Sequence, residues 1–312
     1  MSIELIKGID QIRKIDGGVV ATIGTFDGLH LGHQAILHRL CQSREKEKLT
    51  PLAITFEPHP RVLVTPDSPP LLLTVWEEKV KLFSQFMSGI LVVIEFNREI
   101  MNMSAEQFTS SFLVKRLNLK KLIVGYDHAF GRNRSGTIND LLELSKKYHF
   151  DLEIVDPVIV DGKPISSSRI RRLLDENNLP RALQMLGHPY PIAGKVKRGI
   201  GMGKKIGFPT ANLEVSNRKL LPRRGVYSCS LELDGGRYDG MMFIGINHFN
   251  PAAGVSVEVN IFDFDKDLYG QDFFCYPEIF LRESRIYDEA TGLVEQIKID
   301  KANVLKLKNR GV

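Results

Sequence analysis

Cysteine is scarce in this chain. Only Cys41, Cys229 and Cys275 occur among 312 residues, and none sits in a CxxC pair. That excludes a disulfide framework and suits a reducing compartment. Long apolar runs are lacking too. The longest are strand-sized, well short of the roughly 20 residues that span a bilayer. There is no dense run of one charge: the formal net charge is +5, with basic residues scattered among acidic ones. This argues against a surface for polymeric nucleic acid, while a mild positive balance suits anionic small molecules such as nucleotides. The N-terminal MSIELIKGIDQIRKIDGG is too charged for the apolar region of a signal peptide. The expectation is a cytoplasmic protein with no membrane and no nucleic-acid partner. No internal repeat and no low-complexity segment is found.

What is present is a pattern that changes once. Short apolar runs at 19–25, 51–57, 90–96, 120–126 and 151–155 alternate with helical stretches at 34–48, 74–87, 104–117 and 137–148. Such alternation predicts βαβ units and a parallel, Rossmann-like sheet, whose ligands lie at the carboxyl ends of its strands. From about residue 190, short strands separated by Gly, Asn and Asp turns predict a small antiparallel β-barrel, closed by a helix over 289–307. The proline-bearing HPYPIAG reads as a short exposed linker, with the boundary at 184–188. The domains expected are 1–185 and 186–312.

GTFDGLHLGH (24–33) follows a strand and opens a helix. Glycines at 24, 28 and 32 allow sharp turns and close approach of backbone to a ligand. The helix start offers free N–H groups to an anion. His30 and His33, three apart, share one face of the first turn and can donate to a triphosphate. Two surface histidines would give the same HxxH, and zinc would find further ligands in Glu57 and His59 but no cysteine. At another helix start, ISSSRIR (165–171) supplies the capping hydroxyls Ser166, Ser167 and Ser168, with Arg169 and Arg171 to meet phosphate charge.

In the second half, GKVKRGIGMGKKIGFPTANLEV (194–215) fits neither a Walker A loop nor a dinucleotide fingerprint. A flexible Gly/Lys loop over phosphates is expected instead. Thr210 and Asn212 carry hard oxygen donors suited to Mg²⁺. In VSVEVNIFDFDKDLYG (255–270), Glu258 shares a strand face with Ser256, Asn260 and Phe262, opposite the Val255, Val257, Val259 and Ile261 face.

The HxGH and SSSRIR segments together resemble the signatures of the nucleotidyltransferase superfamily, with Ser168 where threonine is usual. TFEPHP (55–60) and VGYDHAFGRNRSG (124–136) are similar to flavin-side motifs of bacterial FMN adenylyltransferases. The resemblance implies that Gly24, Thr25, Phe26, Asp27, His30, His33, Asp127, Ser167, Ser168 and Arg171 bind ATP. It implies that Phe56, Pro58, Pro60 and Phe130 line the flavin site, with Gly131 and Arg134 in the same pattern. His128 stands where phenylalanine is usual. PTAN (209–212), RRGVY (223–227) and the EV…DF…DLYG segment resemble riboflavin kinases. That implies Glu258 as general base, ATP held by Gly194, Lys195, Gly199, Gly203, Lys205, Gly207, Thr210 and Asn212, and Mg²⁺ on Thr210 and Asn212. GINHFNPAAG (245–254) lacks the family's PTF, and Asn260 replaces a common histidine. The order of the two halves, over residues 18–305, resembles the bifunctional riboflavin kinase/FMN adenylyltransferase family. Its implied substrates are riboflavin, FMN and ATP. Three other readings compete. Another nucleotidyltransferase leaves PTAN and DLYG unexplained. A non-catalytic flavin binder leaves the retained acid and base groups unexplained. A class I aminoacyl-tRNA synthetase relative would need a KMSKS-like segment.

Overall fold

The computed structural model describes every residue except Met1, Arg13, Lys14, Asp16, Asn133, Arg134, Ile200, Asp234, 247–253, Ile286, Asp288 and 310–312. Arg134 and most of GINHFNPAAG therefore lie outside the described residues. The chain divides into two compact units, Met1–Leu72 with Lys79–Ser167, and Leu73–Glu78 with Ser168–Val312.

The first unit is a six-stranded parallel sheet: β1 (Ile3–Lys7), β2 (Val19–Ile23), β3 (Thr50–Glu57), β4 (Gly89–Glu95), β5 (Leu119–Gly125) and β6 (Asp151–Val155), in the order β1-β4-β3-β2-β5-β6. Helices α1 (Leu31–Glu47), α2 (Trp76–Phe86) and α3 (Ile138–Tyr148) connect them. Side chains alternate across each strand. Val19, Ala21 and Ile23 enter one apolar cluster and Val20 the other, as do Leu52 and Ile54 against Ala53. Burial on both faces is why the central strands read as unbroken apolar runs.

Two local departures stand out. β1 was not expected: IELIK carries charges and forms a half-exposed edge. The helix expected over 104–117 begins as an α-helix at Ala105–Phe108 and widens into a π turn over Thr109–Val114, with Lys115 N donating to Ser110 O at 3.2 Å. The buried Phe108, Leu113 and Leu117 are spaced five and then four apart. A π turn keeps that spacing on one face, where a regular helix would not.

The second unit is a closed antiparallel barrel of β7 (Ile192–Lys197), β8 (Ala211–Glu214), β9 (Gly225–Leu233), β10 (Gly236–Ile246), β11 (Val255–Ile261) and β12 (Asp272–Arg282). Their order is β8-β11-β10-β9-β12-β7. Closure removes every open edge. Helices α4 (Ser167–Asp175) and α5 (Leu179–Leu186) precede it, and α6 (Ala290–Asn309) follows. Val304 of α6 packs with Met241 and Phe262, and Arg282 forks onto Asp300 at 2.8–3.1 Å. HPYPIAG is not an exposed linker. Tyr190 is fully buried, His188 and Ile192 are buried too, and the Tyr190 hydroxyl donates to Leu220 O at 2.7 Å.

Candidate active sites

The first site grows from the carboxyl end of β2. Gly24 N donates to Ile54 O at 3.0 Å, and Thr55 Oγ1 to Thr25 O at 3.3 Å, tying the loop to β3. The chain then turns through positive φ at Phe26 (48°), Gly28 (84°) and Leu29 (33°). Phe26 pays for its left-handed backbone with burial: its ring packs edge-on against His33 at 5.3 Å and Phe83 at 5.2 Å. A Cβ on Gly24 would press on that ring at 3.2 Å, and one on Gly32 would meet the His30 ring at 3.2 Å. The two histidines are stacked, with centroids 3.7 Å apart and planes 16° off parallel. Burial holds His33 well below the ordinary histidine range, helped by His30 and by Lys79. His33 Nδ1 is buried and has no hydrogen-bond partner among the described residues.

Asp27 is buried in the same loop, and its carbonyl accepts from Ser167 Oγ at 2.9 Å. The structure thus brings the start of the SSSRIR segment onto the GTFDG loop. Ser168 and Arg171 follow on α4, in the stretch grouped with the barrel unit; Ser168 is exposed and Arg171 half-buried. Sequence reasoning missed Lys79. EEK in a first helical turn reads as solvent-facing, yet Lys79 is only 2% exposed. Burial lowers its pKa, while Asp27 and Glu57 pull the other way.

The expected flavin side lies at the ends of β3 and β5. Phe56 meets Phe96 edge-on at 5.6 Å, and Phe130 lies 6.0 Å from Phe108 and 5.6 Å from His128. Phe56 and Phe130 rest on the same apolar cluster, with Ile100 and Met103. Pro58 follows a cis peptide, and Pro60 opens a single helical turn at Arg61–Val64. Gly131 has φ 75°, and a Cβ there would sit 2.6 Å from Ala105 N; one on Gly136 would sit 2.5 Å from Ala105 Cβ. Paired bonds between Phe130 and Gly136 close the loop. Asp127 is exposed beside Gly125.

The second site lies where β8 meets β11. Register places Asn212 opposite Glu258 and also opposite Lys197 of β7. Thr210 Oγ1 donates to Glu258 Oε2 at 3.4 Å, and Ser256 Oγ to Glu258 Oε1 at 3.3 Å. The carboxylate is half-buried and held from two sides. Asn260 Nδ2 donates to Pro209 O at 2.7 Å, so the residue standing in place of histidine pins PTAN to β11. Gly199 lies against Asn212; a Cβ there would come within 2.4 Å of Asn212 Nδ2. Gly203 lies similarly close to Phe208 O and Thr210 Oγ1. The expected flexible loop contains a helical turn, Met202–Lys205, with Lys205 exposed. Gly207 takes φ 84° directly after it. Gly194 supports the β7–β8 crossing, where a Cβ would stand 3.0 Å from Glu214 O, while Lys195 points outward.

Comparison with known proteins finds two family matches along the chain. A family model described as FAD synthetase matches residues 12–169, and one described as Riboflavin kinase matches residues 186–308. The bifunctional riboflavin kinase/FMN adenylyltransferase of Buchnera aphidicola subsp. Acyrthosiphon pisum is 34% identical over 302 residues, covering 95% of this chain and 96% of its own. The protein of the same description from Escherichia coli K12 is 33% identical over 297 residues, covering 95% and 93%. A solved structure, that of a macrolide-efflux protein from Streptococcus pneumoniae, aligns with TM-score 0.83 at 29% identity, covering 96% of this chain and 97% of that one. The efflux role is named for that protein alone. Among the described residues here, no helix is long and apolar enough to cross a membrane.

Proposed function

The chain belongs to the bifunctional riboflavin kinase/FMN adenylyltransferase family, and from that premise we propose how its residues divide the two reactions. It phosphorylates riboflavin to FMN with ATP, then adenylylates FMN with ATP to give FAD and pyrophosphate. Adenylylation falls to residues 1–185 and phosphorylation to 186–312. The enzyme works in the cytoplasm on small molecules, with Cys41, Cys229 and Cys275 as free thiols.

In riboflavin phosphorylation the attacking group is an alcohol, which must lose a proton. Glu258 takes it from the ribityl 5′-hydroxyl as that oxygen attacks the γ-phosphorus of ATP and ADP leaves. The two hydroxyls on its oxygens, from Thr210 and Ser256, fix the carboxylate's orientation. Thr210 Oγ1 just before β8, the Asn212 side-chain oxygen on β8 and Glu258 on β11 gather as hard oxygen donors, a set that fits Mg²⁺. Thr210 and Asn212 would hold the ion. It would neutralise charge on the ATP phosphates. Gly199, Gly203 and Gly207 let the segment approach those phosphates closely.

In adenylylation the attacking oxygen belongs to the FMN phosphate and is already anionic. It attacks the α-phosphorus of ATP, pyrophosphate leaves, and no general base is needed. His30, His33, Ser167, Ser168 and Arg171 hold the phosphates and meet the charge that develops on them. The carrying observation is the stacked histidine pair, with the buried Nδ1 of a neutral His33 lacking a partner among the described residues. A buried polar atom of this kind is costly unless a ligand satisfies it. Phe56, Pro58, Pro60 and Phe130 form the apolar face for the isoalloxazine ring.

Position-specific labels in ATP test this division. Label in the γ-phosphate should enter FMN from riboflavin, label in the α-phosphate should enter FAD only, and a chelator should stop both. Label from the γ-phosphate in flavin when FMN is the sole substrate would overturn it.

A further inference from the structure

The barrel unit contains six residues from far upstream, Leu73–Glu78. Glu78 and Lys219 are both wholly buried and meet at 2.6 Å. Lys219 Nζ also donates to Leu73 O at 2.6 Å and lies 3.9 Å from the centroid of the Tyr190 ring. Glu78 Oε2 accepts from Val75 N at 3.0 Å as well. Its other oxygen, Oε1, accepts from Ala193 N on β7 at 2.8 Å.

That last bond has a place in the ladder. Successive N–H groups of a strand point to opposite sides. Val196 N donates to Gln271 O, on the β12 side. Ala193 N, three residues earlier, therefore faces the β8 side. Pairing with β8 ends at Lys195–Glu214, so Glu78 serves as the next rung where the strand has run out. From this root β7 continues to Lys197, opposite Asn212, and the chain runs on to Gly199, where an added Cβ would come within 2.4 Å of the Asn212 amide nitrogen.

We propose that Glu78, although it lies in the stretch matched to FAD synthetase, is a positioning residue for riboflavin phosphorylation, fixing through Ala193 the strand that sets the Gly/Lys segment against Asn212. The inference rests on the reading of Thr210, Asn212 and Glu258 as the phosphorylation site. A buried pair replaced by apolar groups keeps its stability, whereas a lone buried charge does not. The informative variants are therefore two uncharged pairs in the full chain, Glu78→Gln/Lys219→Met and Glu78→Leu/Lys219→Met. The first keeps an oxygen for Ala193 and the second does not.

Steady-state kinetics of both reactions and thermal unfolding are measured on each. Glu78→Gln/Lys219→Met should keep the wild-type ATP KM for riboflavin phosphorylation. Glu78→Leu/Lys219→Met should raise it about 2- to 12-fold, the worth of one hydrogen bond, with kcat little changed. FMN adenylylation should be unaltered in both. Equal ATP KM values for the two pairs would overturn the proposal. Should the second pair fail to fold, Glu78→Asp withdraws the carboxylate from Ala193 by one methylene. A raised ATP KM is again expected, and wild-type phosphorylation constants would overturn the idea. Glu258→Gln, assayed alongside, separates the two layers. Full phosphorylation by that variant would sink the site reading itself, while an inactive Glu258→Gln with indifferent Glu78 variants would sink only the role of Glu78.

Discussion

The two sites meet the same cosubstrate with opposite equipment. At the end of β2, the groups proposed to meet phosphate are two stacked imidazoles, the buried His30 and the half-buried His33, the latter packed against Phe26. On the barrel, the central group is a half-buried carboxylate steadied by two hydroxyls. The difference follows from the nucleophile. A phosphate oxygen needs to be placed and its charge accommodated, whereas an alcohol needs a base as well. The proposed base, Glu258, belongs to the reaction whose nucleophile is an alcohol.

Substitutions should keep the two reactions apart. The largest effect belongs to Glu258→Gln, which keeps size and an acceptor oxygen but removes the proposed base. Riboflavin phosphorylation should fall by about 10²–10⁴-fold, with FMN adenylylation near wild type. Damage to both reactions equally would erase the contrast. Next come His30→Ala and Arg171→Ala, each removing a proposed phosphate donor. FAD formation from FMN should drop by about 10²–10³-fold in each, and FMN formation from riboflavin should persist. Wild-type adenylylation in both would refute the phosphate role.

Smaller is a pH effect confined to the α/β unit. His33 titrates well below 6.5 when folded, chiefly because it is buried. Below about pH 6.5 the unfolded chain binds a proton that the folded unit refuses, so stability falls as pH falls. The loss should approach about tenfold in the unfolding equilibrium per pH unit, until His33 itself protonates. His33→Asn should flatten this limb in chemical unfolding monitored between pH 4.5 and 7.5; an unchanged slope would contradict the assignment. The smallest change is expected from Ser256→Ala, which releases one long bond to Glu258. Phosphorylation should slow by about 2- to 12-fold, and adenylylation should not change.

Much of this contrast is legible in the sequence, because periodicity and spacing are local. The central strands run apolar on both faces, so the parallel sheet can be read directly. Alternation likewise puts Ser256, Glu258 and Asn260 on one face of β11, and the Ser256–Glu258 bond bears that out. What could not be read depends on which distant surface covers a residue. IELIK carries charges that hide its strand character, and only its pairing with β4 makes it a strand. HPYPIAG has the composition of a linker, yet Lys219 and Leu220, about thirty residues on, pack against Tyr190 and bury it. Glu78 and Lys79 look like ordinary first-turn charges, where acidic residues suit the helix dipole. Glu78 is met by Ala193 and Lys219, and Lys79 feels Asp27 and Glu57, distant partners that no local pattern announces.

The central claim is that one chain carries two reactions on two separate sets of residues, and it is tested most directly by flavin supply to Glu258→Gln. With Mg²⁺ and ATP, this variant should make almost no FMN or FAD from riboflavin, yet convert FMN to FAD at the wild-type rate. FAD produced from riboflavin at the wild-type rate, or loss of FAD formation from FMN, would contradict it.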